Sequence, residues 1–153
     1  MKKKLTAFML MLMMFCMTLM SGCGGAGQSV QGTDEAQAEA YTIDEDGWYY
    51  STEDVALYLY TYGKLPDNFI TKKEAQSMGW DNKKGNLWEV ADGMCIGGDH
   101  FGNYEGLLPE EDDYTECDVN YEGGYRGAER IIFSDDGDIY YTGDHYESFE
   151  RLY

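Results

Sequence analysis

The hydrophobic pattern changes its period once along the chain, near Gly93, and this change limits the possible folds more than any other feature. Before it, apolar residues recur at helical spacing; after it, four short segments alternate as strands do, each bounded by Gly, Asp or Asn. The segments are MCIGGDHF, YTECDVNYEGG, RIIFSDDGDIYYT and DHYESFERLY. Helices followed by consecutive strands predict an α+β fold, with a multi-stranded antiparallel sheet covered on one face and open on the other.

Three helices are predicted before this change, each with a capping residue and a stop. They run from a cap at Ser51 or Thr52 to Gly63, from Lys72 to Met78, and from Leu87 to Ala91 after a cap at Asn86. Thr71 and Glu74 have the spacing of a capping box before the second helix. In the strand region, Asp136-Gly137 predicts a hairpin turn.

The N-terminus predicts a lipoprotein signal peptide over residues 1–22. Three lysines precede an apolar run from Leu5 to Met20, which has the length of a secretory signal rather than of a membrane span. Small residues before Cys23 resemble a bacterial lipobox, in which cleavage leaves a lipidated cysteine. The alternative is ordinary secretion, in which Cys23 has no such role. The predicted location is therefore extracellular, either on the cell surface or released.

Residues 23–47 predict a lipidated cysteine followed by a flexible acidic linker, because the segment has almost no large aliphatic side chains to bury. Residues 48–153 remain for one domain of ordinary size. Two cysteines, Cys95 and Cys117, lie in this domain. Export permits a disulfide between them, but strand alternation brings them into register only if a bulge forms at Gly97-Gly98. The other possibility is that both are small buried apolar residues.

The formal charge of −18 excludes long-range attraction of the whole chain to a polyanion. A phosphate site must therefore be a local basic patch. The segment from Glu116 to Tyr146 contains such a patch, since it carries two arginines and one histidine beside a carboxylate. These are the residue types that move two protons and stabilise charge at a phosphodiester.

Five motifs, KLPDNFITKKEAQSMGW, KGNLWEVADG, IGGDHFGNYEG, DVNYEGGYRGAERI and TGDHY, resemble in order and spacing the barnase-type guanyl-preferring ribonucleases. The resemblance implies cleavage of RNA 3′ to guanine through a 2′,3′-cyclic phosphate, without metal or cofactor. By position, it implies that Glu116 is the general base and His145 the general acid. The side chains that would hold the phosphate are Arg130, Arg126 and Lys72.

Two further carboxylates match supporting positions in the family. Asp118 shares a strand face with Glu116 and would brace the arginines, whereas Asp99 would orient Lys72. Guanine recognition would lie in the loop Phe101-Gly102-Asn103-Tyr104-Glu105-Gly106. The carboxylate of Glu105 and the amides of Gly102, Asn103 and Tyr104 complement the guanine edge, and Tyr146 would stack on the base.

The sequence departs from the family at several positions, among them Tyr104 where the family has arginine, Gly102 where it has serine, Met94 where it has lysine and His100 where it has an apolar residue. The glycine predicts a more mobile loop. Two alternative functions stay open, an inactive or weak nucleotide-binding or RNA-binding protein and a toxin that uses the same chemistry. A barstar-like inhibitor is a further candidate partner, and the expected oligomeric state is a monomer.

Overall fold

The structure, a computed structural model, describes residues 41–110 and 112–153, and there the predicted α+β order is confirmed. The signal peptide, the lipobox and most of the predicted linker lie outside the described residues. The helices are α1 (Thr52–Tyr62), α2 (Lys72–Ser77) and α3 (Leu87–Val90). The strands are β1 (Phe69–Ile70), β2 (Cys95–Phe101), β3 (Tyr114–Asp118), β4 (Arg130–Ser134), β5 (Ile139–Thr142) and β6 (Glu150–Arg151).

The predicted caps of α1 and α2 are confirmed. Ser51 accepts a hydrogen bond from the backbone N–H of Asp54 (3.1 Å), and Gly63 ends α1 in the left-handed conformation. Both halves of the capping box at Thr71 and Glu74 are formed. These caps satisfy backbone groups that a short helix cannot pair internally.

Asn86 occupies the predicted N-cap position of α3, but its side chain does not cap the helix. Its Oδ1 accepts from the backbone N–H of Asp81 (2.8 Å), and its Nδ2 donates to the carbonyl of Gly79 (3.2 Å). Asn86 therefore fastens the preceding loop, residues 81–85, rather than the helix. An asparagine suits either task, because its side chain mimics a backbone donor and acceptor.

The six strands form one sheet in sequence order. All neighbours from β2 to β6 are antiparallel, as predicted, but β1 pairs parallel to β2. β1 was not predicted, because two residues are too few to show an alternating pattern. The hairpin at Asp136-Gly137 joins β4 to β5, with Gly137 at a φ of 96°.

The bulge in β2 sets the register of the sheet centre. Gly97 pairs with Cys117 and Asp99 with Glu116, so Gly98, at a φ of 91°, is the extra residue. The two cysteines are nevertheless free thiols, both buried. Burial raises the pKa of Cys95 to about 12, which keeps that thiol protonated and unreactive. They are thus core residues in this structure rather than a bridge.

The core lies mainly between the helices and one face of the sheet. α1 packs Val55 and Leu59 against Cys117 and Ile131, and a second cluster gathers Trp80 and Leu87 around Cys95 and Ile96. The opposite face is less open than predicted, because Leu108 covers Tyr114 and Ile132 there.

Residues 41–47 contact α1. Ile43 is buried, and the hydroxyls of Tyr58 and Tyr62 donate to the carbonyls of Glu45 (2.8 Å) and Ile43 (2.9 Å). Across residues 41–110 and 112–153, none of the helices has the length and apolar character needed to cross a bilayer.

Candidate active site

Strand alternation places three of the predicted ionisable groups on the sheet face opposite α1. Glu116 and Asp118 are two residues apart on β3, and Arg130 on β4 lies directly across from Asp118. All three are almost completely buried, with exposed fractions of 6%, 2% and 2%. Charged groups are buried at this level only when they are paired, so their partners define the site.

Asp118 holds both arginines. Arg126 donates to its two carboxylate oxygens through Nε and Nη2, at 2.6 Å each. Arg130 Nε lies 2.9 Å from Asp118 Oδ1, but its N–H does not point at that oxygen, so the contact is an ion pair without a hydrogen bond. Arg130 also donates from Nη1 to the carbonyl of Glu129 (2.7 Å). The predicted bracing of the arginines by Asp118 agrees with this geometry.

The pair with Asp118 also affects the Arg126 guanidinium. Burial alone would lower the pKa of Arg126, but the hydrogen bonds and charge of Asp118 outweigh it and raise the pKa. Arg126 therefore stays a cation in the site.

Both oxygens of Glu116 are occupied. Lys72 Nζ forms an ion pair and hydrogen bond with Oε1, and the hydroxyl of Tyr146 donates to Oε2 at 2.6 Å. Burial alone would raise the pKa of Glu116, but the two hydrogen bonds and the charges of Lys72 and Arg126 lower it. Glu116 is therefore ionised at neutral pH, and both of its oxygens are engaged in the free protein.

Tyr146 makes contacts within the protein through both its ring and its hydroxyl. Its ring stacks on Phe101, with centroids 5.3 Å apart and an interplanar angle of 28°, while its hydroxyl is engaged by Glu116. Burial and that hydrogen bond raise the pKa of Tyr146 to about 12. Base stacking by Tyr146 stays a prediction, and its contact with Glu116 was not predicted.

His145 is exposed and lies on a turn whose backbone has positive φ angles. His145 and Tyr146 have φ values of 59° and 74°, in a region that costs most L-residues of order 1–3 kcal/mol each. In the described part of the chain, the imidazole forms no hydrogen bond, and its ring contacts that of Tyr146 at 4.8 Å. Its nitrogens are therefore available to a ligand.

Asp144 stabilises this turn, and it was not among the residues predicted from the sequence. Its carboxylate accepts from the hydroxyl (2.5 Å) and amide (3.0 Å) of Ser148, the hydroxyl of Thr142 (2.9 Å) and the amide of Glu147 (3.0 Å). Led by the bonds from Ser148, these contacts lower the pKa of Asp144 to about 2. An aspartate four residues before a serine in a turn is the signal that could have identified it.

The predicted recognition loop is closed by Asn103. Its side chain accepts from the amide of Leu108 (3.1 Å) and donates to the carbonyl of the same residue (2.9 Å). Tyr104 is 93% exposed, and its ring lies so close to Gly102 that a Cβ there would come within 2.4 Å of it. In this structure the Tyr104 ring thus lies over Gly102, in space that a side chain at position 102 would share.

Two clefts meet at His145. One, of about 440 Å³, is lined by Phe101, Glu105, Leu107, His145, Tyr146 and Glu147. The other, of about 300 Å³, is lined by Asn82, Arg126, Gly127, Ala128, Arg130 and His145. The first brings Glu105 close to Tyr146, and the second brings both arginines close to His145.

Asp99 contacts Lys72, in agreement with the prediction, but through the backbone of Lys72 rather than its side chain. Its Oδ2 accepts from the backbone N–H of Lys72 at 2.9 Å, whereas the ammonium of Lys72 is held by Glu116. Asp99 therefore fixes the first residue of α2 and not the lysine side chain. Across the described ranges, no group of three or more His, Cys, Asp and Glu side chains is arranged to hold a metal ion.

A family model described as ribonuclease matches residues 52–153. The chain is 52% identical over 100 residues to a ribonuclease of Heyndrickxia coagulans, which covers 64% of this chain and 92% of that protein. It is 46% identical over 126 residues to a ribonuclease of Bacillus pumilus, covering 81% and 74%. A guanyl-specific ribonuclease St of Saccharopolyspora erythraea is 48% identical over 52 residues, covering 32% and 52%.

Proposed function

The chain belongs to the ribonuclease family and is an endoribonuclease, and from this premise we propose that it cleaves single-stranded RNA on the 3′ side of guanine by transphosphorylation. The observation that carries the proposal is the arrangement around Glu116. A buried, ionised carboxylate lies in direct contact with Lys72 and within the field of Arg126, and His145 lines a cleft with both arginines. A base, an acid and cations beside the phosphate are the kinds of group that this reaction uses.

In the first step, Glu116 takes the proton of the ribose 2′-hydroxyl. The 2′ oxygen forms a bond to phosphorus, the bond from phosphorus to the 5′ oxygen breaks, and the imidazolium of His145 gives its proton to that departing oxygen. In the second step, the neutral imidazole takes a proton from water, whose oxygen attacks phosphorus. The bond to the 2′ oxygen then breaks, and Glu116 returns its proton to that oxygen.

Lys72 is expected to change its partner when substrate binds. In the free protein its ammonium occupies Glu116 Oε1, which must be vacated before that oxygen can accept a proton. A phosphate that enters between Lys72 and the arginines competes for the ammonium. We propose that substrate binding moves the Lys72 ammonium onto the phosphate and thereby frees the base, so that the same cation stabilises the charge that develops on phosphorus.

Guanine preference is proposed for the cleft that contains Glu105. The relative named guanyl-specific supports this specificity, and Glu105 lies in the same cleft as Phe101 and His145. A carboxylate there accepts from the N1–H and N2–H of guanine, whereas adenine lacks this pair of donors.

The test uses the purified full chain with the dinucleoside phosphates GpU and ApU. The expected products from GpU are guanosine 2′,3′-cyclic phosphate and uridine, with slower cleavage of ApU. Glu105→Gln should lower the GpU to ApU ratio of kcat/KM while the unfolding midpoint stays constant, because Glu105 is exposed. If the ratio does not change, Glu105 is not the guanine acceptor.

Export and lipid anchoring through Cys23 are proposed on the sequence of the first 23 residues. Cells that express the chain should incorporate a labelled fatty acid into it, and Cys23→Ser should abolish the label. Labelling of the Cys23→Ser variant would contradict anchoring at this residue.

A further inference from the structure

A short loop beside the cleft of the two arginines holds a side chain that the proposed chemistry does not use. This loop, residues 81–85, follows Trp80 and precedes Asn86. Asn82 lines the cleft together with Arg126, Arg130 and His145. Its side chain is exposed and forms no hydrogen bond with any residue in the described ranges. One donor group and one acceptor are therefore available at the edge of the cleft.

The loop is fixed in place by its own hydrogen bonds. The backbone N–H of Asp81 donates to Asn86 Oδ1 (2.8 Å), and Asp81 in turn accepts from the amide of Lys83 (2.9 Å at Oδ1) and that of Lys84 (2.9 Å at the carbonyl). Gly85, at a φ of 63°, lies so close to the backbone of Gly124 that a Cβ would come within 2.8 Å of it. Asn82 is thus presented by a built loop that rests on the segment carrying Arg126.

The position of this loop relative to His145 indicates which part of RNA it faces. His145 protonates the 5′ oxygen of the departing nucleotide, so that nucleotide must lie beside His145. The cleft on one side of His145 contains Glu105 and is assigned to guanine. The other cleft holds the two arginines that are assigned to the scissile phosphate, and Asn82 lies in the same cleft, so the nucleotide that follows this phosphate would pass Asn82.

We propose that Asn82 binds the base of the nucleotide 3′ to the cleaved bond and discriminates among bases at that position. An asparagine side chain can donate and accept at once, which matches a base edge. A phosphate contact would use only its donor, and the methyl ester in the test below separates the two cases. This inference rests on the proposed function, because the mechanism defines which nucleotide His145 faces. It adds a second specificity position, separate from Glu105.

The test compares substrates that share guanosine and the scissile phosphate but differ in the leaving group. The first four substrates are GpA, GpC, GpG and GpU, whose leaving nucleosides differ only in the base. The fifth is guanosine 3′-(methyl phosphate), whose leaving group, methanol, has no base. Asn82→Ala in the full chain should lower kcat/KM about three- to tenfold for the best dinucleotide, as expected for one neutral hydrogen bond. It should compress the ranking of the four dinucleotides and leave the methyl ester within twofold of wild type.

Lys83→Ala is the matched control, since it changes the neighbouring residue of the same loop and removes a charge instead of an amide. It should lower cleavage of longer RNA in a salt-dependent manner and leave the ranking of the dinucleotides unchanged. Both side chains are exposed, so neither substitution should change the thermal unfolding temperature, and this measurement checks that the fold is preserved.

The outcomes separate this inference from the proposed function. If the wild-type chain cleaves neither GpU nor the methyl ester, the proposed function fails. If wild type cleaves both, the proposed function stands. The role of Asn82 is then wrong in either of two cases: Asn82→Ala changes neither the ranking nor any rate, or it lowers kcat/KM on the methyl ester as much as on the dinucleotides.

Discussion

Replacement of Asp118 by asparagine tests whether the arginine pair is the element that holds the site together. The side chain of Asp118 is 3% exposed, and those of its partners Arg126 and Arg130 are 14% and 3% exposed. Asparagine keeps the shape but removes the charge, and its amide presents donors where the guanidinium of Arg126 also presents donors. Two cations would then be buried with no anion between them.

The magnitude follows from the cost of leaving a buried ion unpaired. Breaking such a pair by removing one partner destabilises a protein by about 3–5 kcal/mol, which is a large part of the 5–15 kcal/mol that is usual for a domain. With a urea m-value of about 1–3 kcal/mol per molar, the unfolding midpoint of Asp118→Asn should fall by at least about 1 M. Activity should fall as well, because the arginines lose their orientation.

The assay is urea unfolding followed by tryptophan fluorescence, with Asp138→Asn as the matched control. Asp138 forms an ion pair with Arg151, whose side chain is 62% exposed, and exposed pairs contribute about 0–1 kcal/mol. A midpoint shift for Asp118→Asn no larger than that of the control would refute the structural role of the pair. A variant that is unfolded without urea represents a loss at least as large as predicted.

Three further results are expected. Asp144→Ala should lower kcat on GpU about tenfold or more, because it releases the turn that positions His145, while the unfolding midpoint changes little. An unchanged kcat would show that the turn keeps its conformation without Asp144. The acid limb of kcat/KM for GpU, measured from pH 3 to 8, should lie below the ordinary pKa of glutamate, since Glu116 is held ionised and its activity is lost only as pH falls through that lowered pKa. Tyr146→Phe removes one of the stabilising donors and should move this limb to higher pH; a limb that does not move would exclude the hydrogen bond to Glu116 as a cause. From Trp48 onward the chain has 23 acidic and eight basic residues, so the domain repels RNA at long range. Raising the salt from about 0.01 to about 0.1 M shortens the screening length from about 30 to about 10 Å, so kcat/KM on long RNA should rise or stay level over this range and fall only at higher salt. A steep fall from the lowest salt upward would show that the local cations dominate.

The sequence was sufficient for those features whose cause is local. Ser51, the Thr71 capping box and Gly63 each act within one turn of a helix, and alternation along β3 separates Glu116 and Asp118 from Cys117. The bulge was predictable too, since Gly97-Gly98 supplies the conformation that an extra residue requires.

What could not be predicted depends on contacts between distant segments. Asn86 has the right type and position for a cap, but its side chain instead forms hydrogen bonds with the backbone of Gly79 and Asp81 in the preceding segment. Asp99 is 27 residues from Lys72 and holds its amide rather than its ammonium. The hydroxyl of Tyr146 reaches Glu116, 30 residues earlier, and no periodicity encodes that contact.

The assignment of proton transfer to Glu116 and His145 is the central claim, and kcat/KM on GpU for Glu116→Ala and His145→Ala in the full chain tests it most directly. Removal of a positioned base or acid costs about two to four decades, so each variant should lose at least about 100-fold while it still unfolds cooperatively. A folded variant of either residue that cleaves GpU within tenfold of wild type would contradict the assignment.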